Sequence, residues 1–193
     1  MDELTQILAD ATSRVEPGYF QLVIDGDAPV YRERVYCYEL YHQMRLCWPK
    51  SCKHVLNGEV DKSGHHLLRE LKLDGFKPDF LIHRPGWMMD NFAIMEVKRH
   101  RARGEDISKD LAALTLFVRK AKYRRAIYLV FGENAEKTLR HVRRIAGGMG
   151  CLAEIELWAH AQAGESARHV DTLLAKNVQA GKKAVSKKPG ATK

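Results

Sequence analysis

The 193-residue chain is 45% hydrophobic and 29% charged, which is the usage of one ordinary globular domain and excludes disorder over most of its length. No apolar run approaches the roughly 18 residues of a membrane span, so a helix crossing a bilayer is excluded. The formal net charge is +8, and residues 161–193 supply +5 of it with seven Lys/Arg against two Asp/Glu.

The N-terminal MDELTQILADATSR has early acids and no apolar stretch, so it predicts a helix over Asp2–Val15 rather than a signal peptide. YFQLVI is extended, and DGDAP signals a turn. Arg32–Trp48 is a helix, with Tyr36, Leu40, Met44 and Cys47 at i, i+4, i+8 and i+11 forming one apolar stripe. Pro49 ends it. Extended segments follow at His54–Val60, Asp79–His83 and Phe92–Val97, and the loop RPGWMMDN joins the last two into a hairpin. Ile107, Leu111, Leu114 and Val118 restore helical spacing; Ala126–Phe131 (AIYLVF) suits a strand buried on both faces. A helix over Glu133–Ile145 closes at Gly147-Gly148, and CLAEIELW is the last strand. The fold class is α/β, a central mixed sheet flanked by helices in the order α-β-β-β-α-β-α-β. The ordered domain is expected over residues 1–160, with a weakly signalled short helix at Val170–Leu174 and an otherwise flexible basic tail over 161–193. Cys37, Cys47, Cys52 and Cys151 show no CxxC spacing and, without an export signal, are expected to be reduced, mostly buried thiols of a cytoplasmic protein.

The chemistry concentrates in KPDFLIHRPGWMMDNFAIMEVKRH. If the hairpin's midpoint falls between Trp87 and Met88, Asp79 lies directly opposite Glu96 on one face of the sheet, and Lys98 shares that face by the period of two. Like charges opposed across a ladder destabilise it, and the apolar FLI and FAIM place both carboxylates close to the core. A divalent cation compensates such a pair most simply, because Mg²⁺ takes one or two carboxylates plus waters and substrate phosphate. Lys98 would then orient or deprotonate the attacking water, or stabilise charge on phosphate. An Asp–Lys–Glu ion-pair patch on an exposed sheet face shares the same sequence pattern.

These residues also carry a resemblance. KPDFLIH followed by FAIMEVK resembles the Pro-Asp … Glu-x-Lys signature of the PD-(D/E)XK nuclease superfamily, with its restriction-endonuclease-like core, over about Arg34 to Phe131. The resemblance implies a Mg²⁺-dependent nuclease, with Mn²⁺ as a substitute, hydrolysing phosphodiester bonds in DNA rather than RNA. It assigns the metal to Asp79 and Glu96 and catalytic assistance to Lys98. It also implies a further acid on the preceding helix. The candidate is Glu39, at the edge of the apolar stripe at about 100° per residue, where pairing with Arg32 or Arg45 accounts for it equally well. Glu59 and Asp61 form an acidic strand face that solvation explains. The run KRHRAR and the following helix offer Arg99, Arg101, Arg103 and Lys109 as phosphate contacts beside the site. A homodimer, or a nuclease-fold module that binds nucleic acid or a partner subunit without cutting, is the alternative; a membrane partner is not expected.

Overall fold

A computed structural model describes residues 3–59, 76–87 and 89–176. Asp61, His65, His66, Met88 and residues 177–193 lie outside the described residues. The elements in chain order are α1 (Glu3–Ser13), α2 (Pro17–Phe20), β1 (Leu22–Ile24), β2 (Asp27–Val30), α3 (Glu33–Cys47), β3 (Val55–Gly58), β4 (Phe80–His83), β5 (Asn91–Arg99), α4 (Gly104–Arg119), β6 (Arg125–Phe131), α5 (Ala135–Gly148), β7 (Ile155–His160) and β8 (Arg168–Leu173). From α3 to β7 this is the order read from the sequence. The expected DGDAP turn is shorter than anticipated, because its flanks pair as the β1–β2 hairpin.

Six strands form one mixed sheet in the order β3-β4-β5-β6-β7-β8. The β3–β4–β5 pairs are antiparallel, β5–β6–β7 are parallel, and β8 returns antiparallel along β7. Helices cover both faces, as parallel strands require. β6 sits at the centre and is apolar on both sides. Ala126, Tyr128 and Val130 pack with α4 and α5 residues such as Leu111, Leu114 and Leu139. Ile127, Leu129 and Phe131 pack with α1 and α3 residues such as Leu8, Tyr36 and Leu40. The same alternation in β5 sends Met95 and Val97 to the α1/α3 side and Ile94 to the α4/α5 side, which fixes the direction of Glu96 and Lys98 by the period of two.

α3 is locked to the sheet by an aromatic contact. The Tyr36 ring stacks on Phe131, with centroids 3.9 Å apart and planes at 10°. The Tyr36 hydroxyl and Nδ1 of the wholly buried His160 lie 2.7 Å apart, within one hydrogen bond. Burial pushes the His160 pKa down to about 4, so the imidazole is neutral across the physiological range.

Three expectations are corrected. The ordered chain does not end near His160: Ala167 N–H donates to Thr12 Oγ1 of α1 at 2.8 Å, and β8 extends the sheet. The segment around Val170–Leu174 is therefore largely strand, not helix. Backbone pairing to β7 and the ion pairs Arg143–Asp171 and Arg168–Glu136 hold it, and neither leaves an apolar period in the sequence. Of the four free cysteines only Cys37 is fully buried; the other three are half-buried. No helix among the described residues is long and apolar enough to cross a membrane.

Tyr36→Phe keeps the stacking but leaves His160 Nδ1 buried without its partner. Loss of one buried partner costs about 1–3 kcal/mol, so the urea midpoint should fall by that equivalent with an unchanged slope; an unaltered midpoint would show that the bond contributes nothing.

Candidate functional site

The site is built at the end of the β4–β5 hairpin. Phe80 pairs with Met95, Leu81 with Ile94 and Ile82 with Ala93, the register expected from the sequence. A register shift follows between Ile82 and His83, on the loop side, so it leaves the far end unaffected. Asp79 immediately precedes β4, and its Oδ2 accepts the Val97 N–H at 2.7 Å. This bond seats the Asp79 carboxylate beside Glu96, which is 3% exposed. One Glu96 oxygen, Oε1, is buried with no hydrogen-bond partner.

Lys98 gathers the acids. Its Nζ lies 3.2 Å from Glu33 Oε1, 3.5 Å from Asp110 Oδ2 and 3.6 Å from Glu96 Oε2. The Arg99 N–H also points to Glu33 Oε2, at 3.4 Å. Glu33 comes from the first turn of α3, and Asp110 from the second turn of α4. With Asp79, four carboxylates thus surround one half-buried ammonium. Tyr128 adjoins Glu96 in the parallel β5–β6 register, and its buried hydroxyl has no hydrogen-bond partner.

The electrostatics follow from that excess of acid. Burial raises Asp79 to about 6, against the opposing pull of the Val97 N–H and the Lys98 charge. Burial and the charge of Asp79 push Glu96 well above the usual carboxylate range, so the pair tends to retain a proton toward neutral pH. Burial likewise lifts Asp110 to about 6. For Lys98, burial pulls the pKa down, but the charges of Glu96, Asp110, Glu33 and Asp79 outweigh it and leave it well above the ordinary value. Lys98 is therefore held as an ammonium and is unsuited to taking a proton from water.

Asp79, Glu96 and Lys98 are brought together, and Glu39 is not among them. Glu39 is buried, but its carboxylate accepts from Gln43 at 2.6 Å, and it makes no hydrogen bond or ion pair with the cluster among the described residues. It lies about 120° around α3 from Glu33 at roughly 100° per residue. The helical acid that meets Lys98 is Glu33, which the apolar-stripe reading passed over because it lies before the stripe. Glu59, at the end of β3, pairs with Arg34 at 3.3 Å and remains a solvated surface ion pair.

Arg99, Arg101, Arg103 and Lys109 line a single cleft of about 450 Å³, together with Lys98, Glu33 and Asp110. In the other basic run, the three arginines make structural ties. Arg119 donates to the Leu152 and Lys176 carbonyls, Arg124 meets Asp90, and Arg125 meets Glu156.

The donor set fits a hard divalent cation: two adjacent carboxylates, one with an unpartnered buried oxygen. Among the described residues no group of three or more His, Cys, Asp or Glu forms a site able to hold a metal. Mg²⁺ needs only one or two carboxylates and keeps several waters.

A carboxyl whose folded pKa is raised binds its proton better in the folded state, so its contribution to stability is lost as pH rises from about 4 to about 6. Asp79→Asn retains an acceptor for Val97 but removes that charge. At pH 7.5 without metal it should be more stable than wild type by on the order of 2 kcal/mol, with the difference closing near pH 4. A gain that persists unchanged at pH 4 would mean that the Asp79 charge is not its cause. Comparison with known proteins finds no matching family model, no matching curated protein and no matching solved structure, so the functional reading rests on this geometry.

Proposed function

We propose that the chain is a metal-dependent nuclease that hydrolyses phosphodiester bonds in DNA, on a restriction-endonuclease-like core formed by α3, β3, β4, β5, α4 and β6. The observation that carries the reading is the opposed Asp79–Glu96 pair beside Lys98, which itself lines a cleft with Arg99, Arg101, Arg103 and Lys109. A structural ion-pair patch would not leave an acid excess and an unpartnered buried carboxylate oxygen at one point, since each costs stability.

Asp79 and Glu96 would hold Mg²⁺, or Mn²⁺ in its place, with Glu33 taking the helical position expected of Glu39. When bound, the ion polarises a phosphoryl oxygen and acidifies water at neutral pH. The residues of the chain do the rest. Asp79 is fixed by the Val97 N–H. Glu33 and Asp110 hold the Lys98 ammonium in place. As a permanent cation, Lys98 orients the attacking water and stabilises negative charge developing on the scissile phosphate. The arginines and Lys109 seat the flanking phosphates.

The test is incubation of the full chain with plasmid, linear duplex and single-stranded DNA in Mg²⁺ or Mn²⁺. Lys98→Ala should bind DNA as wild type does but lose roughly 10²–10³ in cleavage rate. Lys98→Arg should rescue poorly, because a planar fork does not replace a compact ammonium. Glu96→Gln should lose metal affinity along with cleavage. Absence of cleavage on every substrate, with no rise in melting temperature in millimolar Mg²⁺, would overturn the reading; DNA binding without cleavage would leave the non-cutting module.

The two helical acids separate in the same assay. Glu33→Gln, which loosens Lys98, should cost about 10–100-fold in rate, whereas Glu39→Gln should stay close to wild type. The reverse order would restore Glu39 to the site.

A further inference from the structure

Beyond the acidic cluster, a second concentration of charge among the described residues lies on α5. Its apolar face, with Ala135, Leu139, Val142 and Ala146, is buried against the sheet. One flank is neutralised by β8, through Arg143–Asp171 and Glu136–Arg168. The other flank is not. Lys137, Arg140, His141 and Arg144 stand at i, i+3, i+4 and i+7, a single stripe of the helix, and none has an acidic partner among the described residues. They line a groove of about 520 Å³ with no Asp or Glu in its walls among the described residues.

That groove adjoins the Lys98 cleft, because Arg101 and Ala102 line both. The β5–α4 loop forms the shared wall. Arg101 turns it through a left-handed backbone conformation, φ 67°. Gly104 brings it against α5, since a Cβ there would stand 3.6 Å from both His141 Nε2 and Ile145 Cδ1.

We infer that the α5 stripe and the Lys98 cleft form one phosphate-binding track, on which the backbone of duplex DNA runs from the cleavage site past Arg101 onto Lys137, Arg140 and Arg144. The inference rests on the DNA-cleaving reading and adds the path and form of its substrate. Like cations at helical neighbour spacing repel one another, so the stripe is suited to a polyanion. From Lys137 to Arg144 it rises about 10 Å, the length of roughly three base-pair steps along a duplex axis at about 3.4 Å each. Single-strand binders stack bases on aromatic rings. Among the described residues neither groove has Phe, Tyr or Trp in its walls, so the track reads backbone charge, which favours a duplex whose bases stay paired.

The experiment measures anisotropy of labelled duplex DNA with the full chain in EDTA, so that binding is read without cleavage, across a salt series. Replacing Lys137, Arg140 and Arg144 together by alanine should lower the slope of log Kd against log salt by about three, since each phosphate contact contributes about 0.9. Replacing all three by glutamate should weaken binding at low salt by about 10²-fold or more. Circular dichroism checks that each variant is folded; should the glutamate variant unfold, the alanine variant carries the result. Duplex affinity and slope unchanged in the alanine variant would overturn the track even if wild type cleaves DNA. Tighter binding of single-stranded DNA or duplex RNA, or no duplex binding by wild type at low salt, would overturn it as well. Loss of binding in the variant, alongside a wild type that never cleaves, would keep the track and remove the nuclease.

Discussion

Four carboxylates share one ammonium at the end of β5, and the arrangement of that end of the molecule follows from this imbalance. Glu96 and Lys98 face the same way because Ile94 faces the α4/α5 core on the same strand. Asp79 joins them because its carboxylate is tied to the Val97 N–H across the hairpin. The cluster does not stabilise the fold: burial drives Asp79 and Glu96 toward their protonated forms, and one oxygen of Glu96 has no partner. Strain of this kind persists only where surrounding structure over-determines it. Here the over-determination comes from β6, buried on both faces, which holds β5 from one side while β4 pairs with it from the other.

The helices are placed so that their ends, rather than their middles, reach the cluster. α3 is fixed by Tyr36 against Phe131 and His160, and this contact leaves its first turn overhanging β5, so Glu33 arrives at Lys98. Glu39, further along, turns to Gln43 instead. On the opposite face, α4 begins directly after the basic loop, so Asp110 on its second turn reaches the same ammonium.

Glu96 is buried beside Lys98, and the cleft that Lys98 lines carries the cations Arg99, Arg101, Arg103 and Lys109 together with Glu33, Asp106 and Asp110. A cation-lined cleft draws in a polyanion, while an acidic floor draws in a metal. The proposed reaction needs both charge sets, one for a metal and one for a phosphate.

The sequence by itself determined the parts governed by short-range periodicity. The period of two and a compact loop fixed the hairpin register, and with it the meeting of Asp79, Glu96 and Lys98. The 3.6 period fixed α3 and α4, and a wholly apolar run fixed β6 as the doubly buried strand. Only tertiary structure decided the rest. An acid in the first turn of any helix is favoured by the helix dipole alone, so nothing local distinguishes Glu33 from a routine capping charge; only the docking angle of α3 brings it to Lys98 and leaves Glu39 behind. The strand β8 carries no alternation, because its partners are backbone groups of β7 and charged residues of α5. The cations of α5 have the spacing of an ordinary solvated face, and they line a groove only because the β5–α4 loop packs beside them. Local pattern sets which face a side chain takes; which other face it meets depends on contacts distant in the chain, and those appear only once the layers are packed.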